Sequence, residues 1–228
     1  MSFIVKNTTF PSLLDLFVPH SCRGCGRIGE ILCERCKNNI IEAHQNICPS
    51  CKTPTTKLPC PNCDLPITYT ISTRTDLLDE LIHDFKYQSI RSLGKTFAEI
   101  LDRVLPPLPK KSVIVPLPTS HKHIRERGID HTKLIAKHLA KKRHTISQYL
   151  LLRAKDTVQV GSDRATRLAQ AKDAYVINPK LRINKAATYV LLDDVWTTGA
   201  SMKAAVKKLR LAGVKNIIIV LLAVSKSS

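Results

Sequence analysis

Apolar residues in this chain fall into short periodic blocks separated by polar turns, and the period switches from block to block. Ile67 to Ser72 alternates as a strand, and Leu77, Leu78, Leu81, Ile82 and Phe85 then mark one face of a helix begun near Thr75 or Asp76. A second helix is predicted from about Ser92 to Val104, before the break Pro106-Pro107-Leu108-Pro109. Ser112 to Val115 reads as a buried strand ended by Pro116-Leu117-Pro118. Leu134, Ile135, His138 and Leu139 line one side of the next helix, and a strand is expected near Tyr149 to Leu152. Lys155 to Asp163 lacks periodicity and reads as a loop. Strand, loop and helix recur from Thr188 to Asp193, Gly199 to Ala212 and Asn216 to Val224. This alternation predicts an α/β fold, a parallel sheet with ligands at the carboxyl ends of its strands.

One junction in that pattern carries chemistry. The run Val190-Leu191-Leu192-Asp193-Asp194-Val195-Trp196-Thr197-Thr198-Gly199-Ala200-Ser201 is an apolar strand ending in two carboxylates, then a small, hydroxyl-rich turn. Met202, Ala205, Val206, Leu209 and Ala212 follow at helical spacing, so the turn opens a helix whose unpaired N–H groups and dipole suit a phosphate dianion. Asp193 and Asp194 lie one sugar-length away, where carboxylates accept from ribose hydroxyls or hold Mg²⁺-bound waters. The alternative is a strand end with solvent-facing acids and a threonine that merely caps a helix. The order strand, acid pair, Thr-Thr-Gly, helix favours the cradle.

This combination resembles the phosphoribosyl pyrophosphate (PRPP) signature of type I phosphoribosyltransferases. The resemblance implies PRPP with Mg²⁺ as ligand, Asp193 and Asp194 on the ribose diol, and Thr197, Thr198, Gly199, Ala200 and Ser201 around the 5′-phosphate. Enzymes of that fold that salvage 6-oxopurines usually place a base aspartate three residues after the second acid. Here that position is Thr197, which argues against hypoxanthine or guanine as substrate.

A second basic constellation follows Val115: Pro116-Leu117-Pro118-Thr119-Ser120-His121, Arg125, Arg127-Gly128 and Asp130-His131. It ends another strand of the same sheet, so Pro118 and Thr119 are placed at the ligand, and Arg125 and Arg127 are assigned to a pyrophosphate by bidentate donation. His121, His123 and His131 read as ordinary surface histidines, since no His-Glu-x-x-His helix is present.

All eight cysteines precede residue 64, as Cys22-x-x-Cys25, Cys33-x-x-Cys36, Cys48-x-x-Cys51 and Cys60-x-x-Cys63. Eight thiolates suffice for two closed tetrahedral zinc sites, and the spacing fits zinc ribbons. Spacing leaves open which pairs share a metal, with sequential pairing expected. No secretory segment is read before them, because Phe3, Ile4 and Val5 are followed by Lys6, so a reducing cytoplasm favours metal over disulfides. Few large apolar residues lie between Cys22 and Cys63, and metal would supply the missing stability, roughly 10–16 kcal/mol per site. Gly24-Cys25-Gly26-Arg27-Ile28-Gly29 matches G-x-G-x-x-G but lacks a preceding strand, and its glycines are expected in a tight knuckle turn.

At 228 residues the chain holds one ordinary domain, predicted over residues 67–228, behind an amphipathic segment and double ribbon over residues 1–66. No stretch approaches a membrane span of about 18–20 apolar residues. Lys and Arg number 36 against 18 Asp and Glu, a formal charge of +18, and eleven of the cations lie between Arg103 and His144 beside only Glu126 and Asp130. Such a field attracts polyanions. Aromatic residues that would stack bases are scarce, so backbone contacts are implied more than base readout.

Taken together, the four Cys pairs, Phe85-Lys86-Tyr87, Pro116-Leu117-Pro118, His121 with Arg125-x-Arg127-Gly128, Arg153, Gln159, Arg164-x-x-Arg167, Ala174-Tyr175 and the Asp-Asp-Val-Trp-Thr-Thr-Gly-Ala run resemble the ComF family of competence proteins. That family joins a double zinc ribbon to a type I phosphoribosyltransferase domain. Ile129-Asp130-His131 departs from its usual Phe-Asn-Gln, and Gln170 stands where Asn is usual. The resemblance implies phosphoribosyl transfer to an unidentified acceptor, two structural zinc ions, Mg²⁺ with PRPP, and a cytoplasmic role in natural transformation. Single-stranded DNA and uptake proteins such as a helicase or channel are the implied partners. The alternative is a non-catalytic DNA-binding competence factor with PRPP as regulatory ligand. The loop from Lys155 to Asp163, with Arg153 and Gln159, is expected to close over the site.

Overall fold

An unbroken apolar run within a strand must be covered on both faces, and three such runs, residues 113–116, 189–192 and 217–224, form the centre of this fold. The computed structural model describes residues 20–43, 47–54, 58–73, 76–154 and 174–225. In chain order, a short antiparallel pair, β1 (His20–Ser21) and β2 (Ile28–Gly29), precedes α1 (Glu34–Glu42). Then come β3 (Ile67–Thr73), α2 (Asp76–Tyr87), α3 (Ser92–Val104), β4 (Ser112–Pro116), α4 (His121–Arg127) and α5 (His131–Lys142). The remainder is β5 (Ile146–Ser147), β6 (Leu151–Arg153), β7 (Tyr175–Ile177), β8 (Thr188–Trp196), α6 (Ala200–Leu211) and β9 (Asn216–Val224).

Five strands make one parallel sheet in the order β3-β9-β8-β4-β5, the parallel α/β arrangement expected from the alternation of elements. Alternation along its strands sends side chains into two cores. Ile114, Val190, Leu192, Val220 and Leu222 pack with Phe85, Phe97, Leu101, Ile135 and Leu139 from α2, α3 and α5. Val113, Val115, Tyr189, Leu191, Ile219 and Leu221 face the opposite way, onto Met202, Ala205 and Leu209 of α6. Each fully buried side chain of this size stabilises by roughly 1.5–3 kcal/mol.

The Cys-rich segment draws on both cores. Cys22, Ile31, Leu32, Cys36 and Ile40 join the α2–α3 side, whereas Cys48, Cys60 and Leu65 join the α6 side. Lys37, buried to 5%, is held by Glu34 and Glu99 at 2.9 Å each and ties α1 to α3.

Several expectations need correction. The strand placed near Tyr149 to Leu152 is two short strands: β5 pairs with β4 in the main sheet, and β6 pairs antiparallel with β7 outside it. β8 runs three residues past Asp193, so both acids lie inside the strand. α4 is an added helix, capped by Ser120 Oγ accepting from His123 N at 3.2 Å and stopped at Gly128 with φ 72°. His131 is not at the surface: it is 1% exposed. The amphipathic stretch Pro11 to Val18, the loop from Lys155 to Asp163, Gln159, Arg164, Arg167 and Gln170 lie outside the described residues.

Candidate functional site

From β8 the chain passes through α6 to β9 on one side, and from β4 it passes through α4 and α5 to β5 on the other. The order therefore reverses between β4 and β8. Crevices form beyond the carboxyl ends of strands at such a point. Pro116 pairs with Leu192, and Leu117 N–H donates to the Leu192 carbonyl at 2.9 Å, so the two strands leave the sheet level with each other. A cavity of about 280 Å³ opens there, with Asp193, Asp194, Thr197 and Ser201 on one wall and Pro118, Thr119, Ser120 and Arg127 facing them.

The acids differ in environment. Burial, reinforced by the neighbouring Asp194 charge, pushes Asp193 up to about 7, against the pull of the Asp194 N–H, Lys86 and Arg153. That N–H donates to Asp193 Oδ1 at 2.9 Å, and Val195 N–H donates to Asp194 Oδ1 at 2.6 Å. Asp194 Oδ2 is 2.7 Å from Lys86 Nζ, both side chains being 16% exposed.

Beyond the acids, Gly199 takes the left-handed conformation, φ 74°, and forms the N-cap of α6 without any side-chain cap bond. Thr198 Oγ1 reaches only Ala200 N, at 3.4 Å. The first helical bond is Lys203 N–H to the Gly199 carbonyl at 2.9 Å, so the amides before it have no helical acceptor. Thr197, Thr198, Gly199, Ala200 and Ser201 line a second hollow of about 50 Å³ around those amides, sharing Asp193 with the larger cavity. An anion fits such a helix start, provided no side chain already fills it.

Cations face this hollow across the crevice. Arg127 lines the larger cavity, its guanidinium 5.3 Å from the Tyr87 ring centroid and its buried Nε without a hydrogen-bond partner. Arg153 Nε donates to the Pro118 carbonyl at 2.9 Å and lies over Tyr175. Burial pushes the Tyr175 phenol up, so it remains protonated at neutral pH. Arg125, by contrast, is exposed on α4 and is not among the lining residues. Asp130 caps α5 through Lys133 N at 3.2 Å and also accepts from Thr119 Oγ1 at 3.1 Å, which fixes the loop after β4. His131 Nε2–H donates to the Phe85 carbonyl at 2.6 Å, and burial lowers its pKa.

Lys86, His123, Thr132 and Tyr175 also line the cavity without having been singled out as ligand contacts. Lys86 and Tyr175 stood within the family-like motifs, but only the packing of α2 and β7 reveals where they point. A neighbouring cavity of about 260 Å³ shares Thr119 and Arg153 and is walled by Ile124, Tyr149 and Leu152.

The eight thiols form two clusters, Cys22, Cys25, Cys33 and Cys36, and Cys48, Cys51, Cys60 and Cys63, so adjacent pairs share a site. Within each, the four sulfurs lie within 4.8 Å of one another. Cys25 and Cys33 sulfurs are 3.7 Å apart, Cys51 and Cys60 sulfurs 3.8 Å. Zn–S bonds of about 2.3 Å in a tetrahedron require sulfurs about 3.8 Å apart, so the donor set fits zinc. Gly26, with φ 73°, makes the knuckle turn, its N–H donating to the Cys22 carbonyl at 2.8 Å.

No family model matches the chain. It is similar to "Competence protein ComFC" of Bacillus subtilis (strain 168), 24% identical over 194 residues, spanning 78% of this chain and 77% of that protein. Among solved structures it is similar to adenine phosphoribosyltransferase from Leishmania donovani, at 14% identity and a TM-score of 0.38, covering 74% of this chain and 86% of that one. None of the described helices is long and apolar enough to cross a membrane.

Proposed function

We infer that this chain, a ComFC-like protein with two four-cysteine sites flanking a parallel sheet, binds PRPP with Mg²⁺ in the crevice between β4 and β8 and transfers its phosphoribosyl group to an acceptor yet to be identified. The observation that carries this reading is the opposition of the Asp193-Asp194 pair and the uncapped α6 start to the cation-bearing loop after β4.

The roles follow from charge and position. The amides at the start of α6, with Thr197, Thr198 and Ser201, hold the 5′-phosphate. Asp193 and Asp194 accept from the ribose hydroxyls. Mg²⁺, when bound, would neutralise pyrophosphate charge. Arg127 donates to the leaving pyrophosphate, and Arg125 is proposed to attract it from outside the cavity. Breaking the C1–O bond builds positive charge on the ribose and negative charge on pyrophosphate, so the chain's contribution is to hold both ends and keep the leaving group neutralised.

The two four-cysteine sites are assigned to structural zinc. The charge of +18 and the exposed lysines of α5 support single-stranded DNA as a partner, and the likeness to a competence protein supports a role in natural transformation. Calorimetry with Mg²⁺ and PRPP tests the core of this reading: wild type binds, and Asp193→Asn/Asp194→Asn loses at least about tenfold in affinity, as expected when two charged acceptors are removed. Equal binding by both would overturn it. Pyrophosphate release with candidate acceptors then separates transfer from binding alone.

A further inference from the structure

The last turn of α2 touches the Cys-rich segment and the phosphoribosyl crevice at once. Asp84, its side chain 10% exposed, has its Oδ2 2.8 Å from Nε of Arg23, which lies in the first knuckle between Cys22 and Cys25; the two form an ion pair in which the N–H is not aimed at the oxygen. Two residues on, Lys86 Nζ meets Asp194 at 2.7 Å. Between them the Phe85 carbonyl accepts from His131, and Tyr87 lies under Arg127. The same knuckle touches the beginning of the helix: a Cβ at Gly24 would come within 3.3 Å of Leu77 and 2.7 Å of Cys36 Sγ. The approach to Cys36 is what requires glycine, and it leaves the knuckle beside Leu77 in the first turn of α2 as well as beside Asp84 in the last.

We propose that the first zinc knuckle positions Lys86 against Asp194 through the Arg23–Asp84 ion pair, making Arg23 a positioning residue for a ligand cavity it does not line. The proposal rests on the PRPP reading for its functional consequence but not for its structural one. Asp84 and Lys86 stand on the same turn of α2, so the Asp84 contact fixes the backbone from which Lys86 reaches Asp194. The Asp84 carboxylate is sheltered while Arg23 is 36% exposed, so the pair is screened by solvent on the arginine side and acts as a moderate tether. The second four-cysteine cluster packs in the opposite core, against α6, and has no such contact with α2 among the described residues.

The test uses full-length protein with its metal content confirmed equal to wild type. Arg23→Ala is compared with Arg23→Lys, and with Arg103→Ala, which removes another ion pair of the same segment, Arg103 to Glu34 at 2.7 Å, far from the end of α2. Two readouts are taken: the ¹H–¹⁵N signal of the Lys86 ammonium without ligand, which persists when the ammonium is held in an ion pair, and the affinity for Mg²⁺–PRPP. Arg23→Ala is expected to lose the ammonium signal and to weaken binding about three- to tenfold. Arg23→Lys restores both in part, and Arg103→Ala changes neither. An unchanged ammonium signal in Arg23→Ala overturns the proposal, as does equal loss in Arg103→Ala, which would indicate general loosening. If wild type binds no PRPP, the functional reading fails, while the ammonium signal still decides the coupling.

Discussion

The indole ring of Trp196 occupies the space a side chain at Gly199 would need: a Cβ there would lie 2.1 Å from Cζ2 of the ring. Trp196 is 3% exposed and packed in the α6-side core, so the ring cannot retreat without disturbing that core. Gly199→Ala therefore meets two obstacles, the ring and a φ of 74° that costs L-residues about 1–2 kcal/mol. The expected result is a lower melting temperature and at least about tenfold weaker Mg²⁺–PRPP binding, read by thermal denaturation and calorimetry. Wild-type values in both would show that the turn tolerates a side chain and need not be shaped by its glycine.

Asp193 makes ligand binding proton-linked. Its pKa rises from 3.8 to about 7 on folding, because burial and the Asp194 charge oppose ionisation. Between pH 4 and 7 the folded protein thus holds a proton that the unfolded chain has released, and stability declines as pH rises through that window. Ribose hydroxyls and Mg²⁺ favour the carboxylate, so at pH 6 Asp193 should contribute close to one proton to the release on binding, beside that of the ligand's own phosphates, and at pH 8.5 almost none. Calorimetry in buffers of differing ionisation enthalpy measures this directly. Asp193→Asn should lower the release at pH 6 by about one proton, and equal release by wild type and variant would contradict the assignment.

The two arginines assigned to pyrophosphate differ in setting, and their loss should differ accordingly. Arg127 lines the cavity with a buried, unpartnered Nε, whereas Arg125 faces outward. A hydrogen bond to a charged group is worth about 1.5–3 kcal/mol, so Arg127→Gln should weaken PRPP binding roughly ten- to a hundredfold. Ribose 5-phosphate, which lacks pyrophosphate, should lose much less. Arg125→Gln should change PRPP affinity by under about threefold, and less at high salt, since an exposed charge acts only through screened attraction. Equal losses for both variants would place the pyrophosphate nearer to α4 than the cavity suggests.

What sequence could and could not reveal divides along locality. The β8–α6 junction is contiguous, so its strand period, acid pair, Gly199 turn and helix are all legible in the residues alone. α3 and β9 lie where the periodicity put them. Lys86 and Tyr175 were not legible as wall residues, because α2 and β7 are brought to β8 by topology rather than by chain proximity. The burial of His131 is not legible in its neighbours, because it depends on Phe85, whose ring packs edge-on at 4.6 Å from a different helix. α4 carries local signals, Ser120 as a cap and Gly128 as a stop, but buries none of its residues and so shows no apolar period. The region around Tyr149 divides because the chain pairs with only Val113 and Ile114 of β4 and then leaves the sheet, where Leu151–Arg153 pairs with β7, a partner far along the chain.

The basic excess makes a claim that salt can test. Lys133, Lys137 and Lys141 are exposed at four-residue spacing on α5, which aligns them on one face, and Lys133 sits 3.9 Å from the Tyr149 ring centroid. A single strand bound by such a stripe should show log affinity falling linearly with log salt, with a slope of about −0.7 for each phosphate neutralised. Lys137→Gln/Lys141→Gln removes two of those contacts and should flatten the slope by about 1.4, weakening binding to all sequences alike. Neither lysine lines the crevice, so Mg²⁺–PRPP affinity should be unaffected. A slope left unchanged by the double substitution would move the nucleic-acid surface away from α5, and a slope near zero in wild type would remove electrostatic binding as the use of the +18 charge.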